Sequence, residues 1–409
     1  MSVYLQKISI CKLLLFFAIL LFQVTIFPCL VEARERLTFA KYFPPNHPWA
    51  KGSITLADQV SEKSGNALKI EFLPKGSFKN PAKVIAGLRA GNIDIAVLRA
   101  DVLGSFEKPY QIFNLPFMFH DLDHADDILA GYIGKKLLKE TENKDFIAVS
   151  FLPSDFPMIA NTIRPIKTIN DLKGMKIVST SKIPKMGVLK LLGTVPVEIG
   201  RDELYSAMAS GVVDGIESNS RCLYETKAYK ASKYVTELPL YYFPGVLLFN
   251  ANRWHRMSKT YQNIIVDSIS TASEVIRKSF SSQKIRFNKT LEEYHVKFNS
   301  IQDTEPFKKA IKPVYKDGVL VASKKWSNIA YTLAHNTFDL DVRSNPQGAD
   351  IDYASKNKQL KRYKDPTNCV LPELYYATWI IKATLSGETK EQEFDPFREK
   401  NKVIIFDFE

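Results

Sequence analysis

Residues Pro81–Leu98 read PAKVIAGLRAGNIDIAVL, and their change of period decides the fold. Pro81 to Ala90 places Val84, Ile85 and Leu88 at helical spacing, and Gly91 ends the run. Ile93 to Leu98 (IDIAVL) is a short apolar stretch of strand type. Working outward, Leu37 to Tyr42 (LTFAKY) alternates like a strand. A Pro-rich turn, Phe43 to Trp49, precedes a helical run from Ala50 to Ser64, and Leu68 to Leu73 (LKIEFL) is a second strand. The N-terminal third therefore reads β-α-β-α-β, which predicts a mostly parallel sheet with helices on its faces.

The pattern resumes downstream. Phe146 to Phe151, Met175 to Ser179, Pro196 to Ile199 and Asp214 to Glu217 are strand-like. Ile183 to Leu192 and Asp202 to Ala209 are helical. Tyr261 to Tyr294 contains neither Pro nor Gly and predicts one long helix. Beyond Leu333 the texture turns to Asn, Asp and Lys, with an apolar helix candidate at Leu374 to Leu385 and a closing run, Val403 to Phe408. This reads as an appended segment, 334–409, with too thin a core to fold alone.

At the N-terminus, Lys7 and Lys12 lead into Leu13 to Phe27, an apolar run too short for a comfortable membrane span. Small residues at Val31 and Ala33 predict a secretory signal peptide over 1–33, cleaved after Ala33. The 409-residue chain carries a formal net charge of +12, and the secreted part about +11. The basic residues are scattered, the densest cluster being Lys356 to Lys364, so no nucleic-acid partner is expected. Two of the four cysteines leave with the signal peptide. Cys222 and Cys369 remain and, in an oxidising compartment, are a candidate disulfide.

No G-x-S-x-G elbow, P-loop or G-x-G-x-x-G occurs, so nothing points to an enzyme and no cofactor is expected. His120 and His124, four apart among aspartates, have the spacing of a helical metal pair but lack the following Glu; a polar helix start is the plainer reading and no metal site is expected. Asp214 and Glu217 form a close acidic pair for which a structural role is expected.

Six short stretches follow one another in order: Gly91–Ala96 (GNIDIA), Asn114–Phe119 (NLPFMF), Asp171–Ile177 (DLKGMKI), Gly193–Pro196 (GTVP), Glu203–Ala207 (ELYSA) and Gly211–Glu217 (GVVDGIE). Together they resemble the periplasmic solute-binding subunit of TRAP transporters, the dicarboxylate-binding P-subunit family, over about residues 37 to 333. The resemblance implies a two-lobed α/β binding protein with a central ligand cleft and a long lobe-spanning helix. It implies lobe I from 34–155 plus 244–284 and lobe II from 156–243 plus 285–333. It further implies a periplasmic monomer that captures a small organic solute and delivers it to a TRAP membrane permease.

The resemblance also assigns roles that this sequence does not fill. In the family an arginine follows DLKG-x-K-I and grips the ligand carboxylate with its fork; here that position is Val178. A helper arginine falls on Met158, and an asparagine falls on Ser218, next to Glu217. Two readings stand. In one, the carboxylate clamp has moved, with Arg99 or Arg201 as candidates. In the other, the ligand is neutral or aromatic, fitted by Met158, Val178 and Ile199 with Tyr42, Phe43 and Trp49 near the mouth, and the protein feeds a sensor instead of a permease. His47, in the Pro-rich turn, is a candidate hydrogen-bonding group at the cleft edge.

Overall fold

The computed structural model describes residues 35–335, except 75–77, 79, 180–183 and 317–323, and then the strands lying between 337 and 407. The expected signal peptide lies outside the described residues, as does most of the lysine cluster 356–364.

Each lobe is built on one sheet. The first has the order β2-β1-β3-β10-β4, with β1 at Glu35–Ala40, β2 at Leu68–Phe72, β3 at Ile95–Arg99, β4 at Phe146–Leu152 and β10 at Gly245–Asn250. β1 pairs in parallel with β2 and β3, whereas β10 runs antiparallel between β3 and β4. The expected mostly parallel sheet is thus mixed, because β10 returns from the other lobe and inserts beside β3.

The second sheet has the order β11-β9-β5-β8-β6-β7. Its strands are β5 at Met158–Asn161, β6 at Lys176–Ser179, β7 at Val195–Val197, β8 at Gly215–Ser218, β9 at Tyr234–Glu237 and β11 at Lys297–Ser300. The chain crosses between sheets at 153–157, leaving β4 for β5, and at 238–244, leaving β9 for β10.

Local chemistry explains where the helices begin and end. Pro48–Lys63 starts on His47, whose side chain accepts the Trp49 amide, with Pro48 where no intrahelical donor is needed. Pro81–Ala90 starts on Asn80, which accepts from the Lys83 N–H at 2.9 Å, and stops at Gly91, whose φ of 74° suits a residue without Cβ. The long helix runs from Lys259 to Glu293, 35 residues, or about 52 Å at 1.5 Å per residue. Its Ile265, Ile269, Ala272 and Ile276 enter the core of the first lobe, and Leu291 enters the core of the second. One helix therefore contributes buried surface to both lobes.

After residue 320 the structure departs from expectation. A helix at Lys324–His335 packs on the first lobe, with Trp326 buried and its Nε1 donating to Glu140 at 3.1 Å. The helix expected at Leu374–Leu385 is instead two strands, Cys369–Tyr375 and Trp379–Leu385. The second strand (WIIKATL) pairs antiparallel on both sides, with Asp350–Ser355 and with Glu388–Phe394. Its aromatic and β-branched residues favour a pleated strand, and a run this short has no period that excludes one. Val403–Asp407 pairs in parallel with Thr337–Asn345.

Candidate functional site

A cavity of about 230 Å³ lies between the lobes, bounded behind by Ser154, Asp155 and Phe243 of the two crossing segments. On the first-lobe side, Trp49 enters from the first turn of its helix. Its Nε1 donates to the Pro153 carbonyl at 2.8 Å, which fixes the ring against the crossing segment. Gly245 makes room for it: a Cβ there would meet Trp49 Cε2 at 2.9 Å. His47 lies 4.7 Å from Trp49 and 5.7 Å from Phe280 by ring centroids. Burial, with the positive charge of Arg221, pushes its pKa down to about 3. The Trp49 amide donates to His47 Nδ1 at 3.1 Å, so the neutral ring carries its proton on Nε2.

Three arginines line the cavity: Arg99, Arg201 and Arg221. Arg99 ends β3 and is already committed. Its Nε and a terminal nitrogen donate to the two oxygens of Asp101 at 2.6 and 2.7 Å, and its guanidinium stacks 4.8 Å from the Phe243 ring centroid. Burial opposes its charge, but Asp101, with Glu217 and Tyr42 beyond, outweighs this and holds its pKa above the usual value.

Arg201 and Arg221 are held differently. Arg201 begins the short 3-10 turn Arg201–Glu203, and Arg221 lies in the helix Ser220–Glu225 that follows β8. Both reach the same carboxylate. Arg201 donates one nitrogen to Glu225 Oε2 at 2.6 Å, and Arg221 Nη1 spans both Glu225 oxygens at 3.1 and 3.4 Å. Among the described residues, the Nε and the second terminal nitrogen of Arg221 meet no acceptor, and its side chain is 16% exposed. One carboxylate thus serves two guanidinium groups that line the cavity, and part of the Arg221 fork is left for a further acceptor.

Acceptors line the same cavity. Asp155 lies on the crossing segment and hydrogen-bonds to Asn219; burial lifts its carboxyl to about 6, opposed by Arg221 and Lys284. Glu217, the next-to-last residue of β8, is 2% exposed, and Ser218, which ends the strand, is 6% exposed. A compact site that mixes arginines with carboxylates and hydroxyls suits an anionic solute that also carries hydroxyl groups.

The structure brings His47, Trp49, Arg99, Arg201, Glu217 and Ser218 together around this cavity. Tyr42 does not line it; it is 42% exposed, close enough to Arg99 to act on its charge. Met158 and Val178 are buried in the second-lobe core with Ile216, and Ile199 packs against that core. Val178 pairs with Ile216 of β8, and Met158 Sδ accepts from Ser220 Oγ at 3.7 Å. Their apolar side chains fill the second lobe beneath the cleft.

The expected Cys222–Cys369 disulfide is corrected: Cys222 is a free, buried thiol. It lies in the first turn of its helix, its side chain packed into the second-lobe core beside the cavity. At the other candidate, the His120 amide donates to His124 Nδ1 at 3.2 Å and Asp121 caps the helix Leu122–Ala130. No group of three metal-ligating side chains occurs among the described residues.

Arg221, Asp155, Asn219, Phe243 and Phe280 were not singled out from the sequence. Arg221 had a signal: it follows the GVVDGIE stretch by four residues, in the first turn of the helix after a strand that borders the cleft.

The family model for bacterial extracellular solute-binding protein, family 7 (DctP) matches residues 39–320. The chain belongs to this family. It is a TRAP-type solute-binding protein and not an enzyme. It is 22% identical to the 2,3-diketo-L-gulonate-binding periplasmic protein YiaO of Escherichia coli over 72% of this chain and 83% of that protein. It is 24% identical to the C4-dicarboxylate-binding protein DctB of Bacillus subtilis over 68% of this chain and 80% of that one. The fold matches a TRAP periplasmic solute-binding protein from Ochrobactrum anthropi, solved with its C-terminus bound in the ligand-binding pocket. That match has a TM-score of 0.70 at 23% identity, over 74% of this chain and 95% of the other. It also matches the galactonate complex of DctPAm from Advenella mimigardefordensis, with a TM-score of 0.62 at 23% identity, over 73% and 97%. Residues 321–409 lie beyond the family match.

Proposed function

We propose that this protein captures a small hydroxylated organic acid in the interlobe cavity and delivers it to a TRAP membrane permease. The observation that carries this reading is the pair Arg201 and Arg221 converging on the single carboxylate of Glu225. A ligand carboxylate entering the cavity takes the unoccupied edge of Arg221, with Arg201 closing from the neighbouring turn. Arg99, paired through two nitrogens with Asp101, shapes the wall instead of gripping ligand. Asp155, Ser218 and Asn219 accept from and donate to ligand hydroxyls, and Trp49, Phe243 and Phe280 cover the carbon skeleton. The galactonate bound by DctPAm and the 2,3-diketo-L-gulonate in the name of YiaO are acids of this kind.

In this reading the chain is secreted by its signal peptide, cleaved after Ala33, and works as a periplasmic monomer. A neutral ligand would leave the donors of Arg221 that turn away from Glu225 without an anionic partner in a closing cleft, which is unfavourable. A thermal-shift panel on the secreted chain tests the reading, pairing each acid with its amide or lactone after bound ligand has been stripped. Acids should raise the melting temperature and neutral partners should not, because only ligands that bind the folded form stabilise it. Equal shifts from both members of every pair would refute it.

A further inference from the structure

A second cavity, of about 460 Å³, lies behind the first. The crossing segments separate the two. Pro153 and Tyr242 face the rear cavity, while Ser154 and Phe243 face the interlobe one. The Ser154 amide donates to the Tyr242 hydroxyl at 2.9 Å and ties the two crossings together. The long helix borders both cavities, with Ser273 and Arg277 behind and Phe280 in front.

The rear cavity is a slot along β4, an edge strand of its sheet. Its walls are unlike. Leu129, Leu138, Val149 and Phe151 form an apolar side. Opposite, Ser270, Ser273 and Arg277 follow one another at i, i+3 and i+7, a single polar stripe on the long helix. Arg277 gives one terminal nitrogen to Asp126, and among the described residues its other nitrogens have no acceptor. Lys135 stands at the opening, exposed and likewise without a carboxylate partner among the described residues. Asp126 is the carboxylate that lines the slot, with Asp123 also acting on Arg277, and the remaining nitrogens of Arg277 and the Lys135 ammonium are the donors left for a ligand. Its volume is in the range of small-molecule sites. An added peptide strand fits less well. Thr141 Oγ1 already accepts from the Ala148 amide at 2.8 Å, and only Val149 to Leu152 of β4 face the slot, too short an edge for strand addition.

We propose that this slot is a second ligand site, separate from the interlobe cleft, for an amphiphilic organic anion: an alkyl chain along the apolar wall, with its carboxylate at Arg277 and Lys135. Calorimetric titration of the full secreted chain with sodium octanoate tests it. Octanoate should bind saturably, about equally to wild type and Arg221→Ala. Ser273→Trp, which fills the slot, should abolish binding, and so should Ser270→Tyr, an exposed helix position that tolerates the change without loss of fold. Lys135→Gln should weaken octanoate about tenfold and leave octanol unaffected. Four results would overturn the site: no saturable binding to wild type, loss of binding in Arg221→Ala, binding that survives both slot-filling variants, or equal affinity for octanoate in Lys135→Gln and wild type.

Discussion

Replacing Arg221 by alanine should cost the protein its preference for acids while leaving the fold intact. The guanidinium edge away from Glu225 offers two donors to a ligand carboxylate. A hydrogen bond to a charged group contributes about 1.5–3 kcal/mol net. Two donors from one fork are not additive, so about 3 kcal/mol is a fair total, equivalent to a loss in affinity on the order of 100-fold. The fold should hold, because Glu225 keeps Arg201 at 2.6 Å and is not left without a partner when Arg221 is removed. The assay is a cycle: titrate the tightest acid of the panel and its amide against wild type and Arg221→Ala. Wild type should discriminate strongly and the variant scarcely at all, which isolates the guanidinium–carboxylate coupling. Arg221→Lys should fall between, keeping charge but losing the fork. Glu225→Gln should tighten the acid several-fold, since it removes the internal competitor. An acid-to-amide ratio unchanged by Arg221→Ala would refute the reasoning and move the clamp elsewhere.

His47, held neutral with its pKa near 3, should destabilise the fold as pH falls below the ordinary histidine value, because the unfolded chain then binds a proton that the folded chain refuses. His47→Asn keeps a capping oxygen and removes the titration, so it should gain on wild type by about 2 kcal/mol at pH 5, read from melting curves across pH. Asp155, lifted to about 6, acts in the opposite direction: the folded state favours its protonated form, so the cost appears as pH rises from about 4 through 6 and persists above. Asp155→Asn should therefore stabilise the empty protein at pH 7 by about 1 kcal/mol, after allowance for water in the cleft, with the gain vanishing below pH 4. Thiol titration of the unfolded, unreduced chain should count Cys222 as free. Val178→Arg should destabilise by about 3–5 kcal/mol in denaturant melts, since the position is 1% exposed and lies among apolar neighbours; an unchanged midpoint would place it in the cleft.

The scaffold was legible because its signals are local. Asn80-Pro81 and Gly91 bracket a helix by capping chemistry alone, and Lys259–Glu293 lacks any residue that would break it. The placement of β10 was not legible. Nothing within Gly245–Asn250 says that it inserts antiparallel between β3 and β4, because that pairing is fixed by a chain returning from the other lobe. Leu374–Leu385 misled because an apolar run broken only by single polar residues satisfies both periods. Arg221 was passed over for a similar reason. Its meaning comes from Arg201 reaching the same Glu225 across 24 residues of sequence, a convergence that no spacing encodes.

The positions to which the resemblance assigns polar ligand contacts lie on three neighbouring strands. Val178 on β6 pairs with Ile216 of β8, and Met158 on β5 pairs with Ser218 of β8. Here Val178 and Met158 join Ile216 in one apolar cluster, so that level of the sheet has become core. The charges sit one step further along the chain. Arg201 comes just after β7 and Arg221 just after β8, and both strands run parallel to β6. The two candidate clamp arginines therefore lie beyond the carboxyl ends of parallel strands, where open α/β sheets bind ligands. The two changes depend on each other. An arginine restored at position 178 would be buried in that apolar cluster and would have to displace it. In the proposed reading, positions outside the six family stretches supply the carboxylate clamp, while those stretches supply most of the scaffold that holds it.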